Sequence, residues 1–307
     1  MNLSIADTMS ELMDDDINNQ LEAIHVGFEV LNGYIDAATD VGVSEESLKE
    51  IFEGISNTVR NTRHNIINLF KLGRNKYKTD IDIWLTKEKR IIQKVEEMNY
   101  DDVKSIKVDY PTGMNGDYST IVLLASEIFT NFEKAIQLEL VSKTTDSILS
   151  SVSKNSNSHE QVVRMSNSSL ERSSKPLVVA DVKLSKLFKD TTSIGSKKPF
   201  SMLFDSMEQL KTVRHGLAAI SPYVGDITKV EKQCQAVEDS LDLCTQFILD
   251  KSENGESNYV PSKQFLLSFA SFIKQLDSLF IIYGKATIRT MAVSHNLAYV
   301  YKSLYQA

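Results

Sequence analysis

Ser44-Glu45-Glu46-Ser47-Leu48-Lys49-Glu50-Ile51-Phe52-Glu53-Gly54-Ile55-Ser56-Asn57-Thr58-Val59 is the stretch that decides the fold class. Ser44 places a side-chain oxygen in front of two acids. That is the pattern of a helix N-cap followed by carboxylates in the first turn, where unpaired backbone N–H groups and the helix dipole favour negative charge. Leu48, Ile51, Phe52, Ile55 and Val59 then recur at three- and four-residue steps, which places them on one face of a helix. The run continues through Ile66, Ile67, Leu69 and Phe70.

Upstream, Ile17, Leu21, Ile24, Phe28, Leu31 and Ile35 step by 4, 3, 4, 3 and 4, a coiled-coil-like stripe over residues 10–39. Asp40-Val41-Gly42-Val43 turns the chain between the two runs, so they predict an antiparallel helical hairpin. Downstream, the spacing predicts a basic helix over residues 80–98, with Ile81, Trp84, Leu85, Ile91, Ile92, Val95 and Met98 apolar. A short extended segment at 104–110 and a turn at Pro111-Thr112-Gly113 follow. Asp117 or Ser119 then caps a helix over 118–150. After residue 176 the pattern gives a short helix at 177–188, a break at Gly195 and Pro199, and helices over 200–220, 226–251 and 261–305. Pro261 suits a first turn, and Gly284 is a candidate interruption of the last helix. Gly33 and Val41-Gly42 recur as Gly216 and Val224-Gly225 at a constant offset of 183, an echo that two similar bends produce by chance.

Residues 150–174 lack this periodicity. Ten of the 25 are serine and three are asparagine, which predicts a flexible connector. The expected architecture is therefore all-α, with long amphipathic helices in hairpins and bundles. It comprises an N-terminal helical domain (1–150), a Ser/Asn-rich linker (151–176) and a C-terminal helical domain (177–307) ending in a long helix.

The chain has 307 residues, 42% hydrophobic and 24% charged, enough for a sizeable core and inconsistent with a mainly disordered or disulfide-held protein. Cys234 and Cys244, ten residues apart on one helix, would lie about 15 Å apart, too far for a disulfide. They read as small buried thiols of a reducing compartment. Met1–Ser10 has neither a basic region nor a long apolar run, and Phe265–Tyr283 is interrupted by Lys274 and Asp277. The expectation is a soluble, intracellular chain without a membrane span.

The net charge of −7 conceals a strong asymmetry. Residues 1–59 carry −12, residues 60–94 carry +7, and the remainder −2. The basic segment includes Arg60, Arg63, Lys71, Arg74, Lys76 and Lys78, and the acidic one Glu45, Glu46, Glu50 and Glu53. These ten residues form the candidate interaction surface. Its basic half has two candidate partners, an acidic protein face or nucleic-acid phosphates; the acidic segment next door in sequence, of the same chain or of a neighbouring copy, favours the protein face.

No motif for catalysis, cofactor or metal emerges. The five histidines lack metal-ligand spacing, and the phosphate-loop, dinucleotide and nucleophile-elbow patterns do not occur. Gly113-Met114-Asn115-Gly116 reads as a turn before a helix, Asp14-Asp15-Asp16 as a charged helix face, and His64 as part of a solvated one. No catalytic residue, cofactor or metal is therefore expected.

Val41-Gly42-Val43-Ser44-Glu45-Glu46-Ser47-Leu48, Asp109-Tyr110-Pro111-Thr112-Gly113-Met114 and the Ser-rich middle give the chain a style that resembles helical virion proteins of large tailed bacteriophages. The resemblance implies a structural or assembly role in the particle, in the tail, baseplate or head interior, with location in the virion and in the host cytoplasm during assembly. The expected partners are other structural proteins or further copies of the chain, docking through apolar stripes on the first and last helices. The alternatives are a nucleic-acid-binding protein using 60–94 and an enzyme or signalling bundle using His64.

Overall fold

The computed structural model describes residues 26, 29–30, 33, 35–36, 45–77, 84–85, 87–114, 117–154, 158–225, 227–253 and 261–307. The fold is all-α, as expected, with one two-stranded ribbon among the described residues. In chain order the elements are α1 (Glu45–Tyr77), α2 (Lys89–Glu96), α3 (Tyr100–Val103), β1 (Lys107–Met114), α4 (Tyr118–Ile136), α5 (Leu138–Ser153), α6 (Ser158–Lys186), β2 (Phe188–Pro199), α7 (Met207–Gly225), α8 (Ile227–Glu253) and α9 (Lys263–Gln306). A short 3₁₀ turn, Phe200–Met202, follows β2.

The last helix is the axis of the molecule. Ser262 caps α9 by accepting from the Phe265 N–H at 3.0 Å, so Pro261 stands just before the cap rather than in the first turn. Apolar side chains occupy every side of α9, the signature of a fully enclosed helix. It packs against α6, α1, α4, β1, α2 and α7. By length and composition α9 would also span a membrane, but 67% of its apolar window is buried by the rest of the fold. Gly284 is buried and does not interrupt it. Rings gather where α4 and α7 meet α9: Phe132 lies 4.4 Å from Tyr283 and 5.5 Å from Phe280. The Tyr283 hydroxyl donates to the Tyr223 carbonyl at 2.6 Å. Each such fully buried large side chain contributes roughly 1.5–3 kcal/mol of transfer free energy.

α1 presents Phe52, Ile55, Val59, Thr62 and Ile66 inward at steps of 3, 4, 3 and 4 and packs on α8 and α9. The hairpin partner expected at 10–39 lies outside the described residues except at 26, 29–30, 33 and 35–36, which are helical, with Ile35 buried. Asp14-Asp15-Asp16 lies wholly outside them.

Four expectations are corrected. The connector at 151–176 is helix: α5 ends at Ser153 and α6 begins at Ser158. His159, Val163, Ser166, Leu170, Ser173, Leu177, Ala180 and Leu184 recur at alternating steps of 4 and 3, and all but the half-buried Ser173 are buried. Serine count hid that seam. Two of its serines bond locally to the helix, Ser166 to the Val162 carbonyl at 3.0 Å and Ser173 to the Leu170 carbonyl at 3.0 Å, so they enter an apolar interface without an orphaned hydroxyl. Second, the two halves are not separate domains. α1 packs on α8 and α9, β1 pairs antiparallel with β2, and the buried residues form one continuous core. Third, the helix expected over 118–150 breaks at Gln137, which takes the left-handed conformation (φ 40°, ψ 62°). Its start is as expected, with Asp117 accepting from the Thr120 N–H at 2.7 Å. Fourth, Pro111-Thr112-Gly113 lies within β1, where the pairing slips between Tyr110 and Pro111 and again between Thr112 and Met114.

Candidate functional site

Two residues of the basic segment, Arg60 and Arg63, face acids of α8 rather than the acidic segment next to them in sequence. Arg63 pairs with Glu238 of α8. Arg60 lies 3.8 Å from both Glu238 and Asp242, and Ser56 donates to Asp242 at 2.8 Å. These groups project at three- and four-residue steps along α1 toward α8, so one helix repeat writes one ladder of pairs. Glu238 is almost fully enclosed, whereas Arg60 is largely in water and contributes orientation more than energy.

Beneath the ladder lies a polar layer. Asp277 of α9 is buried, with Thr62 of α1 as its hydrogen-bond partner, while its second oxygen, Oδ2, has no partner. Burial holds this carboxyl well above the usual carboxylate range, and the Thr62 bond offsets only part of that push. Cys234 of α8 is buried nearby, and burial pushes its thiol well up. Burial also pushes the Cys244 thiol up to about 12. Both cysteines are therefore protonated and poorly nucleophilic.

The other candidate residues do not join this cluster. Lys71 is exposed on α1. Arg74 and Lys76 lie on the last turn of α1, and Lys78 lies outside the described residues. Glu45 and Glu46 form the first turn of α1. Glu50 and Glu53 are exposed, and no ion pair among the described residues joins them to the basic segment. His64 is exposed on α1. Gly113 and Met114 close β1, and Asn115 and Gly116 lie outside the described residues.

Two further locks had no signal in the sequence because their members are far apart in the chain. Arg214 of α7 grips Glu96 of α2 through Nε at 2.5 Å and Nη2 at 3.4 Å. The Tyr301 hydroxyl donates to the same carboxylate at 2.8 Å, and Trp84 packs edge-on against the Tyr301 ring. Burial, then the Glu96 carboxylate, hold Tyr301 far above the usual phenol range. Asp181 of α6 likewise pairs with Arg289 of α9 at 3.1 Å. In each case the polar groups satisfy one another between helices, which is a tie rather than a reactive arrangement. Among the described residues no group of three or more His, Cys, Asp or Glu side chains converges to hold a metal ion.

Two open features remain on the surface of α6. A groove of about 790 Å³ runs from Gln137 along Gln161, Met165, Ser168 and Arg172. Further along, Val178, Val179 and Val182 are 41%, 45% and 50% exposed, bracketed by the exposed Lys175, Lys183 and Lys186. Comparison of the chain with protein-family models, with curated proteins and with solved structures finds no match.

Proposed function

We propose that this chain is a non-enzymatic structural or assembly protein, a component of a tailed-phage particle that docks into its complex through helix faces. The observation that carries the reading is the valine ridge on α6, three branched apolar side chains left in water side by side on one helix. The last helix, expected to offer a docking stripe, is consumed by the core, and α6 takes its place. The interior polar groups tie helices together, which suits a rigid body whose task is to hold position. The phage assignment rests on the resemblance in sequence style.

The test is sedimentation of intact particles from an infected host through a density gradient. The chain is expected to travel with the particles in fixed stoichiometry and to resist a salt wash. Recovery only in the soluble fraction overturns the reading. Lys87, Lys89, Arg90 and Lys94 stay exposed on and before α2, so phosphate contact is the second reading. It requires DNA binding that weakens steeply with salt.

A further inference from the structure

We propose that the outer face of α2 and the last turns of α9 form one binding surface for single-stranded nucleic acid, on which Tyr299 and Tyr305 stack bases and Arg90, Lys94 and Lys302 meet phosphates. This surface rests on the phosphate-contact reading above and gives it a place and a ligand class. Trp84, inside the basic run in sequence, is buried against Tyr301 and offers no open face. The open rings come instead from α9, where Tyr299 and Tyr305 are 39% and 42% exposed. Each has an ammonium over it. Lys94 of α2 lies 5.4 Å from the Tyr305 ring centroid, and Lys302 lies 5.8 Å from that of Tyr299. Both distances are within cation–π range. The first also crosses between the two helices, so the cations of α2 and the rings of α9 belong to one surface.

The charge here is one-sided. Residues 87–94 carry +3, with Lys87, Lys89, Arg90 and Lys94 all exposed. α9 has no acid after Asp277. Beside the cations, Glu88 is half-buried, Glu96 is held by Arg214 and Tyr301, and Glu97 accepts from Gln93 at 3.0 Å. No ion pair among the described residues engages Lys87, Lys89, Arg90, Lys94 or Lys302. The Glu96 lock and the Trp84–Tyr301 contact clamp this part of the chain onto α9, so rings and cations are in place before any ligand arrives. The spacing selects a single strand. Tyr299 and Tyr305 are six residues apart, about 9 Å along the helix, whereas bases in a duplex are stacked about 3.4 Å apart and present no free face. Rings so spaced take bases of an unstacked strand, and the ammonium beside each ring meets a flanking phosphate.

Fluorescence anisotropy on the full chain tests this with a labelled oligothymidylate, the matching oligouridylate, and the duplex of the first with oligoadenylate. Wild type is expected to bind both single strands more tightly than the duplex, with affinity falling as salt rises; the tighter of the two strands identifies the source as DNA or RNA. Tyr299→Ala and Tyr305→Ala should each weaken single-strand binding roughly 5- to 150-fold, and phenylalanine at the same positions should retain it. Arg90→Gln with Lys94→Gln should make the slope of log affinity against log salt shallower by about 1.4, at about 0.7 per phosphate contact on a single strand. Lys175→Gln with Lys183→Gln removes the same charge from α6 and should leave affinity and slope unchanged. Far-UV circular dichroism checks that each variant keeps its helix content. Where an alanine variant does not, leucine keeps the bulk without the aromatic face and should weaken binding as much. No binding at low salt, a duplex bound as tightly as a single strand, or equal losses from the α2 and α6 pairs each overturn the proposal. Polyglutamate bound as tightly as the single strands makes the partner an acidic protein and overturns it too. Salt-dependent binding that is unchanged in the tyrosine variants overturns this surface and leaves the phosphate-contact reading standing.

Discussion

Asp277 shows how one residue can tie stability to pH. In the unfolded chain its carboxyl ionises near the ordinary value of about 4. In the fold, burial against Thr62 raises that value, so between the two values the native chain holds a proton that the unfolded chain has lost. Stability contributed by the protonated group is therefore full at acid pH and declines as pH rises through that window, by about 1.4 kcal/mol per pH unit. Asp277→Asn mimics the protonated acid and cannot ionise. Its unfolding midpoint should match wild type near pH 4 and exceed it increasingly toward neutral pH, measured by thermal melts of both proteins across the range. A constant difference at all pH values would contradict the account. The sequence displayed Asp277 as an interruption of an apolar run. It could not show that the helix is enclosed on all sides, so an acid in it has no solvent face to occupy.

At the scale of elements, the crossing of α4 and α7 depends on a missing side chain. A Cβ built on Gly216 would stand 2.6 Å from Cγ1 of Val122, whose branched side chain has little freedom to turn away. Gly216→Ala should cost about 1–3 kcal/mol of unfolding free energy from overpacking, despite the better helix propensity of alanine. Val122→Ala in the same chain should recover most of that loss, and a double-mutant cycle by urea unfolding measures the coupling. Gly216 was legible as a residue of a helical bend, but its partner 94 positions earlier was not. The amphipathic helices themselves were legible wherever the buried stripe is apolar, as in α1 and α9. α6 was not, because serine and histidine fill three of the eight positions of its seam and composition overrode period. β2 and the Gln137 break depend on tertiary pairing and on a left-handed residue that is not glycine, and neither leaves a local pattern.

Across the whole molecule, two charges of the basic segment tie distant parts of the chain together. The acidic segment and the basic one invited pairing by adjacency, yet Arg60 and Arg63 reach Glu238 and Asp242, about 180 residues away in sequence. Adjacency decides little once a helix longer than 40 Å separates the ends of a segment from each other, and α1 spans 33 residues. With β1 on β2 and α1 on α8 and α9, the described residues of the first half pack into the second rather than into a core of their own. Unfolding should therefore be one transition. Trp84, the single tryptophan, lies before α2 and touches Tyr301 of α9, so its fluorescence reports contact between the halves. Its melting curve should coincide with that of far-UV circular dichroism. Arg63→Ala leaves the enclosed Glu238 carboxylate with only the water-exposed Arg60 at 3.8 Å and should cost roughly 2–5 kcal/mol. Because the lost tie joins both halves, the two curves should shift together to lower temperature. Fluorescence melting ahead of helix loss in wild type would mean that the halves part before either unfolds, and the single-core architecture would have to be given up.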